Sequence, residues 1–194
     1  MKKQLIILFI LTIFLAKAQE KKMSLSLSTP LLIAKYETNY KGVAGLKYRY
    51  FFKNKGKYNY GLSFNFDYFQ NKGIEKNAYK DQKFFYHNFN VFRKFTFKSF
   101  KKTSITTTIG YTFLASNAYA VYNYQMLNEQ IDTTRSHYKS NGFNAGLTAD
   151  YMLGNTFFIT GTYKYNYAAK PATENCSAVT FEANLFSLGL GFYF

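Results

Sequence analysis

The twelve-residue stretch YNYGLSFNFDYF at positions 58–69 decides the fold. Every second residue is large and apolar: Tyr58, Tyr60, Leu62, Phe64, Phe66 and Tyr68. Between them stand Asn59, Gly61, Ser63, Asn65, Asp67 and Phe69. A period of two is that of a β-strand, with one bulky apolar face and one smaller, more polar face. Alone, the stretch leaves open whether the aromatic face meets lipid or a second sheet.

The same pattern recurs along the chain. Strands are predicted at 23–33, 43–52, 58–69, 84–97, 104–115, 141–153, 156–167 and 179–194. The first sets Met23, Leu25, Leu27, Leu31 and Ile33 against Ser24, Ser26 and Ser28, and a bulge or kink is expected at Pro30, which has no N–H to donate. Strand four alternates least clearly, with Phe85, Phe89, Val91 and Phe95 against Asn88 and Asn90. The last sets Phe186, Leu188, Leu190, Phe192 and Phe194 against Leu185, Ser187, Gly189, Gly191 and Tyr193. Connections alternate in length: longer ones at 35–42, 70–83, 116–140 and 168–177, short ones at 53–57, 98–103 and 154–155. Short turns on one side and longer loops on the other mark transmembrane barrels, and strands of this length, tilted, match the hydrocarbon thickness.

The composition agrees. The 194 residues include 19 Tyr and 22 Phe but only 2 Pro. Aromatics favour strands, and few prolines suit a chain built of backbone ladders. Met1-Lys2-Lys3, an apolar run at 5–16 and Ala16-Lys17-Ala18 have the order of a secretory signal peptide, which predicts cleavage after Ala18 and a barrel domain over 19–194. Losing Lys2, Lys3 and Lys17 lowers the formal charge from +15 to +12. Export makes nucleic acid a poor partner for that excess; lysines in solvated turns, drawn to anionic lipid head groups, are the better reading. The single cysteine, Cys176, makes no internal disulfide.

Volume decides which face meets lipid. Roughly forty large side chains on one face cannot fit inside eight strands, whose interior is just wide enough to be filled. A sandwich could bury them, but would have to satisfy many tyrosine hydroxyls. In a membrane these tyrosines belong at the interfaces, with Phe52, Tyr58 and Phe194 at the periplasmic edge and Tyr68, Tyr165 and Tyr167 at the outer one. The opposite face predicts a narrow lumen lined by Gly, Ser, Thr and Asn, with Lys47, Arg49, Asp67, Asp150, Lys164 and Glu182 pairing across it rather than forming an open pore. The expected fold is all-β: an eight-stranded antiparallel up-and-down transmembrane barrel.

The chain ends Gly189-Leu190-Gly191-Phe192-Tyr193-Phe194. This alternation with a terminal Phe resembles the assembly signal of Gram-negative outer-membrane barrels, and the mature chain resembles the small eight-stranded barrels of the outer-membrane protein A and X type. The resemblance implies outer-membrane localisation and insertion by the barrel-assembly machinery, which would read Gly191, Phe192 and Phe194. It also implies contact with outer-membrane lipid and lipopolysaccharide. Strand four and Pro30 fit the pattern least, and no counterpart of protein A's peptidoglycan-binding domain is expected after the barrel.

Some such barrels are enzymes. The lipid A 3-O-deacylase family uses His and Ser two residues apart with an acidic partner; here His137 and Ser140 are three apart, which in a strand sends them to opposite faces. His87 is expected at the mouth of strand four. No carboxylate pair, metal-spaced cluster or glycine-rich phosphate loop stands out, so no catalytic residue, cofactor or metal is predicted. The expectation is a non-enzymatic barrel, structural, adhesive or envelope-stabilising through outer loops. Tyr119, Tyr122, Tyr124 and Met126 of the third loop are either a contact surface or a solvated segment. A lipid-modifying enzyme and a secreted ligand-binding sandwich are the alternatives.

Overall fold

The computed structural model describes residues 22–33, 40–52, 58–71, 79–121, 133–170 and 179–194. The expected signal peptide at 1–18, the turn 53–57, Tyr122, Tyr124, Met126 and Cys176 lie outside them. Eight strands run β1 Met23–Ile33, β2 Tyr40–Phe51, β3 Tyr58–Asn71, β4 Tyr79–Thr96, β5 Thr103–Val121, β6 Thr133–Met152, β7 Phe157–Lys170 and β8 Val179–Tyr193. Each pairs antiparallel with the next, and β8 pairs with β1 to close a barrel. Closure removes the sandwich alternative, because there is one sheet and not two.

The registers fix the barrel's geometry. From Met23, the paired residues run through Tyr50, Leu62, Val91, Ile109, Ala145, Tyr165 and Asn184 and return to β1 at Ile33, ten residues further along. An eight-stranded barrel with such a stagger has strands tilted about 35–45° from its axis. Backbone bonds between Met23 and Phe194, N to O in both directions at 2.9 Å, seal the seam at the turn end.

The period-two pattern is obeyed closely. Leu27, Ile109 and Leu190 point outward, 64%, 62% and 63% exposed, while Ser26, Thr108 and Gly191 beside them in sequence are buried. Phe194 has outward parity but is only 8% exposed, packed 5.4 Å from the Phe192 ring.

Two expectations are corrected. The first concerns strand length: β4 begins at Tyr79, β5 continues to Val121 and β6 begins at Thr133. Much of the expected loops 70–83 and 116–140 is therefore strand, and β4, β5 and β6, with 18, 19 and 20 residues, outreach the rest at the loop end. The sequences of these stretches, YKDQK at 79–83, SNAYAV at 116–121 and TTRSHYKS at 133–140, lack the large-apolar alternation that would mark a lipid-facing strand. His87 accordingly lies inside β4 and not at its mouth.

The second concerns Pro30. The β1–β8 register runs through Pro30↔Ser187 without a break. The irregularity falls on β2, between Gly42 and Ala44, where Val43 is the extra residue and both Val43 and Ala44 face outward. Gly42 lies against the Pro30 backbone, where a Cβ would overlap the Pro30 carbonyl. The paired β1–β2 register stops at Ser28↔Gly45, two residues before Pro30, which has no N–H to donate.

The interior has three zones. At the turn end Phe51, Phe92, Phe158 and Tyr193 form one apolar cluster. At the loop end Phe69, Phe84, Tyr86, Leu114, Ala168, Ala183 and Leu185 form another. Between them lie buried Ser, Thr, Asn and charged side chains. The lumen is thus not only small and polar, as expected, but closed by rings at both ends.

Candidate functional site

Tilted strands carrying small residues leave a central chamber that long charged side chains can cross to reach strands with which their own shares no ladder. Arg49 on β2 donates from Nη1 to Asp150 Oδ2 on β6 at 2.6 Å and from Nε to Ser24 Oγ at 2.8 Å. Its guanidinium lies 5.1 Å from the Phe158 ring centroid and 5.8 Å from those of Phe51 and Tyr193. Planar guanidinium suits both tasks, bonding in its plane while rings cover it. Lys94 continues the arrangement at the turn end, donating to Tyr193 Oη at 2.7 Å and lying 4.6 Å from that ring's centroid.

One layer up, Lys47 Nζ donates to Thr148 Oγ1 at 2.8 Å and Thr162 Oγ1 at 2.7 Å. Above that, Lys164 pairs with Asp67. An amide layer follows, in which Thr112 Oγ1 donates to Asn88 Oδ1 at 2.7 Å, under the loop-end cluster. Among the described residues the buried charges are three cations, Lys47, Arg49 and Lys164, and two carboxylates, Asp67 and Asp150.

Glu182, expected with them, is not in the lumen. It is exposed on the outer face of β8, opposite Tyr167, with the parity of Phe186 and Leu188. The physical reason is period two itself: an even-numbered residue of β8 faces the way Phe186 does. The expectation broke the strand's own alternation.

Among the described residues the expected His137 and Ser140 are not brought together as a catalytic pair. The β5–β6 register runs unshifted from Thr133 to Tyr151, so His137 and Ser140 occupy positions of opposite parity. Ser140 is buried at 3% exposure, and Asp150 is held by Arg49. Among the described residues no group of three or more His, Cys, Asp or Glu could hold a metal ion. His87 faces outward in an aromatic nest, its ring 5.1 Å from Phe66 and 6.0 Å from Phe113.

Sequence reasoning missed two features. The inward rings of Phe92 and Phe158 escaped notice, yet a signal existed: each lies opposite an inward glycine, Gly61 and Gly191, where a Cβ would strike the ring. The other is the sheet that β4, β5 and β6 raise above the barrel. The β6–β7 register begins only at Asn141↔Ala169, so 133–140 pairs with β5 alone among the described residues.

Solved structures share this architecture. The attachment invasion locus protein Ail of Yersinia pestis, in complex with the heparin analogue sucrose octasulfate, superposes with a TM-score of 0.54 at 17% identity, over 89% of this chain and 96% of that one. Neisserial surface protein A gives 0.58 at 12% identity, over 89% and 96%. A major outer membrane protein of Thermus thermophilus gives 0.54 at 10% identity, over 89% and 99%. At such identities the likeness is one of fold. No curated protein matches the chain. The outer membrane protein beta-barrel domain matches residues 5–194, nearly the whole chain, and with the closed eight-stranded barrel this places the protein in that family of the bacterial outer membrane.

Proposed function

We propose that this barrel is a non-enzymatic surface protein that holds a three-stranded sheet above the outer membrane for contact with a partner outside the cell. The observation that carries the reading is the length of β4, β5 and β6 beyond the rest of the wall. A strand edge paired on one side only offers backbone donors and acceptors to an incoming strand, and 133–140 of β6 has that form among the described residues. The interior supports an anchoring role: buried ion pairs and two ring clusters make the barrel a rigid, filled mount. In this reading residues 1–18 direct export, the barrel-assembly machinery inserts the chain by Gly191, Phe192 and Phe194, and its membrane partners are outer-membrane lipid and lipopolysaccharide.

The lipid-modifying alternative has no observation in its favour, since its serine would have to leave the barrel interior to reach a lipid.

Replacing 118–136 by a short turn tests the proposal. Cells displaying the shortened barrel should attach to host-cell layers or to each other no better than cells without it. The protein should still migrate compactly before heating. Full attachment by the shortened form would remove the protruding sheet from the account.

A further inference from the structure

On the three longest strands the outward wall turns basic just where its aromatic band ends. Tyr68 and Phe85 stack there, centroids 4.9 Å apart and planes 7° from parallel. Register places Phe85, Ala115 and Lys139 side by side on β4, β5 and β6, with Lys83 the next outward position above Phe85. Lys83 and Lys139 are exposed.

The lysines share a level. Rows of paired residues climb by roughly 3 Å per strand from β4 toward β6 at this tilt. Lys139, two positions below Lys83's row-mate His137, therefore lies level with Lys83. Each is twelve residues along its strand from a turn-end aromatic, Lys83 from Phe95 and Lys139 from Tyr151. At about 3.3 Å per residue and a tilt near 40°, that is about 30 Å of height. The lipid-facing band of such barrels is about 25 Å tall, so both ammonium groups emerge at head-group depth.

We propose that this patch binds the phosphate groups of an outer-leaflet glycolipid, one phosphate seated between Lys83 and Lys139 over the small Ala115 side chain. The patch faces sideways into the membrane plane and is continuous below with the apolar wall around Phe85. An amphiphile with an anionic head and acyl chains matches both halves; a soluble polyanion matches only the upper one. The inference rests on the outer-membrane reading but not on any protein partner.

The test is retention of lipid by the purified full-length barrel in phosphatidylcholine nanodiscs doped with bisphosphorylated lipid A or its dephosphorylated form, read by native mass spectrometry. Wild type should retain the phosphorylated lipid preferentially, and less so as salt rises. K83Q/K139Q should lower that preference on the order of thirtyfold at low salt. K83R/K139R should keep it, as should K98Q/K101Q/K102Q at the opposite end of the barrel. Compact migration before heating confirms that each variant is folded; if the glutamine pair fails it, the salt dependence and K83M/K139M decide. Equal retention of the two lipids by wild type would overturn the proposal. So would unchanged preference in K83Q/K139Q. Replacement of 118–136 should leave the lipid preference intact, which separates this proposal from the adhesive reading.

Discussion

Arg49 and Asp150, 101 residues apart in sequence, meet across the turn-end half of the barrel at 2.6 Å, with both side chains at most 2% exposed. The pair joins β2 to β6, strands that share no backbone ladder, and so fixes the cross-section of the wall. Removing one partner leaves a buried charge uncompensated, which costs about 3–5 kcal/mol. Asp150→Ala and Arg49→Met should each lower the urea midpoint of unfolding from lipid vesicles by a corresponding amount. R49M/D150L, which removes both charges, should recover much of that loss. If the double variant is as unstable as the sum of the two singles, the pair is not the coupled unit described here.

The two interior lysines should behave in opposite ways. Lys164 neutralises Asp67, whereas Lys47 donates to two threonine hydroxyls within a chamber where cations outnumber carboxylates. Thr148 and Thr162 also lie 3.1 Å apart and can bond each other without it. Lys164→Met should therefore destabilise by about 3–5 kcal/mol through the stranded carboxylate, while Lys47→Met should be neutral or stabilising. Urea titration of the two variants side by side is the check. A large loss in K47M would mean that its hydroxyl bonds outweigh its repulsion from Arg49 and Lys164.

The ring clusters predict a closed conductance path with two seals. Single-channel recording from wild type should show no sustained current. F92A/F158A opens only the turn-end cluster and should remain silent, because Phe69, Phe84 and Leu114 still close the other end. Adding F69A/F84A should still give no sustained current, because the Arg49–Asp150 and Lys164–Asp67 pairs and the Asn88–Thr112 layer fill the zone between the clusters. Current from F92A/F158A alone would show that the loop-end cluster is no barrier.

Most of the barrel was legible because period two is enforced wherever one face meets lipid and the other a packed interior. Met23–Ile33 was read to the residue, and Lys47, Arg49, Asp67, Asp150 and Lys164 have inward parity in strands whose outer residues are unmistakable. Legibility failed where that contrast vanishes. Tyr79–Lys83, Ser116–Val121 and Thr133–Ser140 have polar residues on both sides, so nothing in their pattern separates strand from loop. The bulge was misplaced for another reason: Pro30 announces a missing donor but not where the ladder breaks, and the irregularity falls on β2, between Gly42 and Ala44. Inward rings were hidden because Phe reads as lipid-facing until a facing glycine is set beside it.

The end of the chain gives a prediction about assembly. Phe194 contributes backbone bonds to Met23 at the closing seam, and its ring is packed against Phe192. Deleting it removes a closure contact together with the terminal aromatic of the alternating run through Gly191 and Phe192. Phe194→Asp keeps the backbone but places a charge at an outward, mostly covered position. Both changes should cut the yield of heat-modifiable protein in the outer membrane several-fold. Shortening the connection 72–78 should change it little, since loops tolerate deletion when the strands they join keep their pairing. The comparison must spare Tyr79–Lys83, because those residues are part of β4. Phe194→Tyr, which keeps an aromatic ring, should insert nearly as well as wild type. Comparable membrane yields from F194D, the deletion and the shortened connection would rule out a role for the terminal ring in insertion and leave Phe194 as seam packing alone.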